Sequence, residues 1–324
     1  MEFRPISLCN IIYKIVSKVL ANRLKRILPM VIGEAQSAFV PRRQITKYVF
    51  VTFKTMHYIN MKRKGKKGLM AVKLDMNKAY NRVKWKYLEE VMKGMGFQEK
   101  WIQLSMCIRT ISYFVLINGK PKGRIIPTRG LRQGDPISSY LFLLCVEGLS
   151  AHATNGSKMG RINWVSVCRG APRISHLFFA DDSTILCRAT LEEAKQVSQV
   201  LKDYERESGQ KLKKEKTSLF FSKNTRSEVM EGVKDLFGAQ IIKQHEKYLG
   251  LPPLVGKGKK KAFNRIKDKV GRRIARWKGK LLSRARKEIL IKVMAQATPT
   301  YIMSCFKILD ALCKELNSMV KNFW

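Results

Sequence analysis

Acidic residues are scarce in this chain: 24 Asp+Glu stand against 64 Lys+Arg, a formal net charge of +40 over 324 residues. Self-repulsion at that charge destabilises a compact state unless a polyanion neutralises it, so nucleic acid is the expected partner and an anionic membrane surface the weaker alternative. A cysteine framework is missing too. Cys9, Cys107, Cys145, Cys168, Cys187, Cys305 and Cys313 are scattered, odd in number and never spaced C-x-x-C. That argues against a disulfide scaffold or a zinc site and for a reducing compartment. His57, His152, His176 and His245 form no metal-ligand spacing. Long hydrophobic runs are lacking: the most apolar stretch, Leu141 to Leu149, is short and carries Glu147, so no membrane span is expected. The start, Met-Glu-Phe-Arg-Pro, is no signal peptide. Neither repeats nor Pro- or Ser-rich linkers interrupt the chain, which predicts subdomains packed in one body.

What is present is enough apolar residue, 45%, to fold. Ile12, Val16, Leu20, Leu24 and Leu28 form a helical stripe, which Pro29 is expected to end. Further helical patterns cover about 45–61, 78–93, 98–109, 138–149 and 191–207, and the chain from Lys257 onward is helical and basic. Short strands are expected at Leu69 to Leu74 and Thr217 to Phe221. Hairpins are expected around Asn118-Gly119 and between Ile174 to Phe179 and Thr184 to Cys187.

The second hairpin carries Asp181-Asp182 at its tip. Adjacent carboxylates with apolar flanks repel one another, and their ionised forms are expensive unless cations offset the cost; the plain alternative is a solvated turn. Two upstream motifs sharpen the metal reading: Leu74-Asp75-Met76-Asn77-Lys78-Ala79-Tyr80, with a carboxylate at a strand end, and Gly130-Leu131-Arg132-Gln133-Gly134-Asp135-Pro136, a glycine-containing loop before a helix. If Asp75 meets the hairpin tip on one sheet, Asp75, Asp181 and Asp182 would hold two Mg²⁺ ions about 3.5–4 Å apart, with Mn²⁺ as a substitute. One ion would activate a primer 3′-hydroxyl and the other stabilise leaving pyrophosphate.

In this order the motifs resemble the reverse transcriptase domain of LINE-type (non-LTR) retrotransposons, particularly those of plants. Phe3-Arg4-Pro5-Ile6-Ser7-Leu8, Gln36-Ser37-Ala38-Phe39-Val40-Pro41, His176 to Asp182 and Tyr248-Leu249-Gly250-Leu251 add to the resemblance. It implies an α+β right-hand polymerase, an RNA-directed DNA polymerase. Fingers would be 1–67 and 84–130, the palm 68–83 and 131–254, and a helical, partial thumb 255–324. The implied partners are an RNA template, a DNA primer and dNTPs. Asp75, Asp181 and Asp182 match the catalytic aspartates. Tyr80 matches the aromatic gate against a ribose 2′-hydroxyl, the alternative being a core tyrosine. Gln133 matches a nucleotide-pocket residue beside Gly130 and Gly134, which would let backbone approach the substrate. Arg43 matches a fingers arginine near the triphosphate. Lys216 matches a lysine that protonates pyrophosphate, although Lys211, Lys213 and Lys214 make a solvated charge run a rival reading. Tyr248-Leu249-Gly250 matches the primer-grip turn.

Lys257 to Lys292 contains sixteen Lys or Arg and two acids. Arg265, Lys269, Arg272, Arg273 and Arg276 recur at helical spacing opposite Phe263, Ile266, Val270, Ile274 and Trp277, which predicts a face that grips duplex phosphates. Some positions depart from the pattern. Asn81 replaces an aspartate, Arg42 a glycine, Lys47-Tyr48 an Asp-Asn pair and Lys213 an asparagine. If the glycine's φ is positive, Arg42 costs about 1 kcal/mol or more and is expected to displace Arg43. Endonuclease and RNase H segments are not recognisable in the chain. These features predict a fragment or decayed copy. The rival functions are a catalytically silent nucleic-acid-binding remnant and a maturase-like RNA-binding cofactor. A working enzyme would meet its DNA target in the nucleus.

Overall fold

The computed structural model describes residues 10–168, 170–242 and 259–324. They fall into two compact units: one runs to Ile45 and from Tyr58 to residue 242, and the other joins Thr46–His57 to the C-terminal residues. The architecture is α+β, as expected.

The first unit begins with α1 (Ile11–Val31), and α2 (Ile45–Met61) contributes to both units. Then come β1 (Leu69–Leu74), α3 (Ala79–Arg82), α4 (Trp85–Gly94), α5 (Glu99–Ser105), a 3-10 turn and the hairpin β2 (Tyr113–Ile117) with β3 (Lys120–Ile125). After α6 (Ser138–Lys158) follow β4 (Val165–Ser166), β5 (Arg173–Ile174), β6 (His176–Phe179), β7 (Asp182–Arg188) and α7 (Leu191–Ser208). The unit closes with β8 (Ser218–Phe221), α8 (Ser227–Phe237) and β9 (Gln240–Ile241).

Its main sheet has the order β6-β7-β1-β8-β9, antiparallel except for the β8–β9 pair. Met70, Val72 and Leu74 of β1 point to one face and are buried with Phe178, Ile185 and Leu219, while Leu141 to Leu149 of α6 and Val197, Leu201 and Tyr204 of α7 complete this core. Period-two alternation therefore sends Lys73, and after it Asp75, to the other face. Each large side chain fully buried in the core on the first face contributes about 1.5–3 kcal/mol. The Asn118-Gly119 turn has positive φ at both residues (51° and 77°), the geometry expected of a two-residue hairpin.

Three sequence expectations need correction. Pro29 does not end α1, which continues to Val31 with Ile32 N–H donating to the Leu28 carbonyl. A proline in a last turn forfeits only its own hydrogen bond, so the helix survives it. The 78–93 helix is broken at Val83-Lys84, because Lys84 N–H donates to the Ser208 carbonyl and the Val83 carbonyl accepts from Gly130 N–H. The helix expected to stop at Leu149 runs to Lys158, since Ser150 and Ala153 still face the core.

His176 is buried, with Nε2 2.9 Å from Ser150 Oγ and Nδ1 2.7 Å from Ser175 Oγ. Burial pulls its pKa down to about 4. Between that value and the unfolded value of about 6.5, only the unfolded chain binds the proton. Its contribution is thus complete above about pH 6.5 and is lost as pH falls through about 4, a total of about 3 kcal/mol. In urea titrations across pH 4–7, His176→Gln should flatten this part of the stability profile.

In the second unit, α9 (Lys259–Lys278), α10 (Arg284–Leu290), a π-helical turn, α11 (Ala297–Cys305) and α12 (Asp310–Lys321) surround their own core. Phe263, Ile266, Val270 and Ile274 of α9 are buried with Ile291, Leu312 and Leu316. Phe306 sits edge-on to Phe50 and Phe53. Among the described residues, no helix is long and apolar enough to cross a membrane.

Candidate nucleotidyl-transfer site

The β1–β7 register pairs Leu74 with Ser183, so one step further it sets Asp75 opposite Asp182. Asp75 lies just past the strand, and the chain after it is fastened to the segment following α7. Lys213 N–H donates to the Asp75 carbonyl (2.8 Å), Asn77 N–H to the Lys211 carbonyl (2.8 Å), and Met76 bridges Leu212. Ala180 and Asp181 form the turn between Phe179 and Asp182, with Ala180 in the left-handed region at φ 53°.

One cavity of about 490 Å³ collects most of the expected residues: Asp75, Tyr80, Gln133, Asp181 and Lys216 all line it. That volume suits a nucleotide-sized ligand. Asp182 is not among its lining residues. Its carboxylate lies 4.0 Å from Lys73 Nζ, while Lys216 Nζ lies 4.0 Å from Asp75 Oδ2. Burial pushes the Asp182 carboxyl upward, Lys73 opposes this, and Asp181 and Asp75 add to the rise. Asp182 therefore senses carboxylates from both segments. Tyr80 stacks on Phe142 at 4.6 Å, and its hydroxyl is pushed up by burial and by Asp181.

Among the described residues no three His, Cys, Asp or Glu side chains form a ready metal cage. The donor set still fits a hard cation: carboxylates at an open cleft are the usual holders of Mg²⁺, which keeps several waters and takes further oxygens from substrate phosphates.

The loop before α6 is held from behind. Gly130 N–H donates to the Val83 carbonyl, and Leu131 N–H to the Tyr80 carbonyl. Gly130 has φ 105°, and a Cβ there would lie 3.0 Å from the Asn81 carbonyl oxygen. Of the two glycines expected to admit substrate, only Gly134 lines the cavity, and Gly130 instead serves packing against Asn81. Asp135 is buried at 4% exposure and accepts from Tyr13 Oη (2.6 Å), Ser17 Oγ and Ile137 N–H. Arg132 lies over the Tyr13 ring at 4.0 Å. Burial and the Asp135 carboxylate push the Tyr13 hydroxyl strongly upward, so it stays a proton donor.

Arg43 is not brought to the cavity. Its guanidinium donates to the carbonyls of Ile32 (2.7 Å), Gly33 (2.6 Å) and Gln36 (2.6 Å). Arg42 has φ 65°, the left-handed conformation anticipated for the glycine it replaces. Arg42→Gly should raise stability by up to about 1 kcal/mol, seen as a melting temperature about 2–4 °C higher by calorimetry. On α9, Arg265, Lys269, Arg272 and Arg276 are exposed. Arg273 differs, being half-buried and donating to the Met294 carbonyl and Thr298 Oγ1. Tyr248-Leu249-Gly250 lies outside the described residues.

Sequence reasoning missed Arg132, Asp135, Ser139 and Lys213 as cavity residues. The first two stand inside a motif already singled out. Lys213 was visible only as an added charge.

A sequence model described as reverse transcriptase (RNA-dependent DNA polymerase) matches residues 1–252. An uncharacterized mitochondrial protein of Arabidopsis thaliana is 51% identical over 69 residues, covering 21% of this chain and 57% of that protein. The transposon TX1 uncharacterized 149 kDa protein of Xenopus laevis is 33% identical over 147 residues, covering 45% and 11%. A Pol polyprotein from the type-1 retrotransposable element R2 of Nasonia vitripennis is 27% identical over 185 residues, covering 57% and 17%. The chain thus spans little more than half of one of these relatives and under a fifth of the others. A Candida albicans telomerase structure aligns over 96% of this chain and 52% of its own at 11% identity, with a TM-score of 0.42.

Proposed function

The chain belongs to the reverse transcriptase (RNA-dependent DNA polymerase) family, and from that premise we propose that it extends a DNA primer with deoxynucleotides on an RNA template, as part of a non-LTR retrotransposon protein. The observation that carries this reading is the shared cavity of Asp75, Tyr80, Gln133, Asp181 and Lys216.

Asp75, Asp181 and Asp182 would hold two Mg²⁺ ions, or Mn²⁺, which when bound supply charge neutralisation for the attacking and leaving oxygens. Tyr80, braced by Phe142, fills the space a ribose 2′-hydroxyl would need. Gln133 and Gly134 face the incoming nucleotide, and Lys216 gives a proton to departing pyrophosphate. Arg43 would reach a triphosphate only by releasing its three carbonyls. The exposed cations of α9 hold duplex phosphates without reading sequence, and Tyr248-Leu249-Gly250 steadies the primer. On this reading 68–83 and 131–254 are palm, 1–67 and 84–130 fingers, and 255–324 thumb. The work would be done at nuclear DNA.

Primer extension on an RNA template tests the proposal. Wild-type chain should add dNTPs in preference to rNTPs, and Tyr80→Ala, which deletes the whole phenol ring and opens room for a 2′-hydroxyl, should narrow that preference by about tenfold or more. No extension with any divalent ion, alongside firm duplex binding, would instead assign a silent nucleic-acid-binding remnant. Asn81 in the cavity, where the family carries a carboxylate, favours that second reading.

A further inference from the structure

The polypeptide between α1 and α2 runs along the edge of the main sheet, beside the acidic turn. Ser37 N–H donates to the Phe178 carbonyl (3.1 Å), Phe178 N–H to the Ala35 carbonyl (2.8 Å), and Gln36 bridges Phe178 in parallel sense. This short pairing extends the sheet beyond β6, and it aims the Gln36 side chain at the turn that follows.

Gln36 is 1% exposed. Its Oε1 accepts from two backbone N–H groups, Ala38 at 2.9 Å and Ala180 at 3.2 Å. Both partners are donors, so the amide orientation is fixed by chemistry: the oxygen must face them. Its Nε2 is buried with no partner among the described residues. A buried polar group left half-unsatisfied needs an explanation, and here only the acceptor is in use.

Ala180 supplies the reason for an acceptor. It occupies the left-handed region at φ 53° without being glycine, immediately before Asp181-Asp182. Such a backbone persists only where its surroundings hold it. The hydrogen bond from Ala180 N–H is that hold. Arg43 in turn fixes the Gln36 carbonyl (2.6 Å) and those of Ile32 and Gly33.

We propose that Gln36 is a positioning residue, whose side-chain oxygen clamps the Ala180 turn and thereby sets Asp181 and Asp182 to bind divalent cations. The proposal rests on the polymerase reading of those aspartates. It needs no contact between Gln36 and substrate.

Mn²⁺ binding to the full chain, followed by electron paramagnetic resonance of the free ion, tests it. Gln36→Met keeps length and apolar bulk but removes the acceptor, and should weaken Mn²⁺ binding by about 10-fold or more, as loss of a group supporting metal ligands does. Ala180→Gly makes the left-handed turn easy without a clamp. Gln36→Met combined with Ala180→Gly should therefore return to within about threefold of wild type. A purely structural role for Gln36 would not respond to that second change. Wild-type affinity in Gln36→Met, or no recovery in the double variant, overturns the proposal.

Should Gln36→Met fail to fold, amide exchange in the wild-type chain decides. Ala180 N–H should exchange about 100-fold or more slowly relative to an unprotected amide, and free exchange there overturns the clamp. Asp181→Asn separates the two claims. If it leaves Mn²⁺ binding intact, the polymerase reading of the site fails; if it abolishes binding while Gln36→Met does not, only the positioning role fails.

Discussion

Asp181→Asn is expected to lower single-nucleotide incorporation on an RNA template by about 10³-fold while leaving template–primer affinity within about twofold. The substitution is nearly isosteric, so the turn beside Ala180 can keep its backbone. It removes one negative charge from a cavity lined by Asp75, Asp135 and Asp181 together with Lys78, Arg132, Lys213 and Lys216. Asparagine offers a carbonyl oxygen in place of a carboxylate, a far weaker partner for a divalent ion. On the proposed reading, duplex binding would draw instead on phosphate contacts by exposed Lys and Arg, which the change does not touch. Single-turnover quench-flow and filter binding measure the two quantities separately. Unchanged incorporation would refute the assigned role of the acidic turn, and parallel loss of duplex binding would point to misfolding.

Asp135→Ala should be the most destabilising of the single changes considered, at about 3–5 kcal/mol. Asp135 is a buried carboxylate whose partners come from α1 and from the start of α6. Removing it leaves the Tyr13 hydroxyl without its acceptor at 2.6 Å and loosens Arg132 above the Tyr13 ring. Unmet donors in a buried site cost more than the net value of the bonds they formed. The expected fall in melting temperature is about 10 °C, and Asp135→Asn, which keeps one acceptor oxygen, should fall about half as far. Because Arg132, Gln133 and Gly134 sit in the same loop, the alanine variant should also bind nucleotide more weakly. Differential scanning fluorimetry and nucleotide titration check both.

Much of the scaffold was legible because its signals are local. The bounds of α2 and β1 follow from apolar periodicity, and Asn118-Gly119 announces its hairpin by the only conformations it tolerates cheaply. The same holds for α9, where buried Phe263, Ile266, Val270 and Ile274 alternate with exposed Arg265, Lys269 and Arg272. Errors arose where a distant partner overrode a local preference. Val83 and Lys84 leave the helix because Gly130 and Ser208 take their backbone groups. Arg273 shares the basic spacing of its neighbours yet turns inward to Met294 and Thr298.

At the site, residue types with obvious chemistry were identified and supporting residues were not. Asp75, Tyr80, Gln133 and Lys216 converge on one cavity, whereas Arg43 holds backbone carbonyls outside it. Gln36 stands inside a motif that carries the resemblance, but its role was not legible, since a neutral amide acquires meaning only when the hairpin 144 positions away is packed against it. Arg42 was the exception: a glycine position filled by arginine foretold its positive φ.

Whether the two acidic segments truly meet can be asked with a disulfide cross-link between Asp75→Cys and Asp182→Cys. Directly opposed positions on antiparallel strands have Cα atoms about 4.5–5.5 Å apart, within reach of that bond. Mild oxidation should join the pair, seen as a mobility shift that either single variant lacks. Asp75→Cys with Arg188→Cys, about 20 Å apart along the strand, should stay open. Failure of the first pair to close, or equal closure of the second, would contradict the convergence on which the polymerase assignment depends.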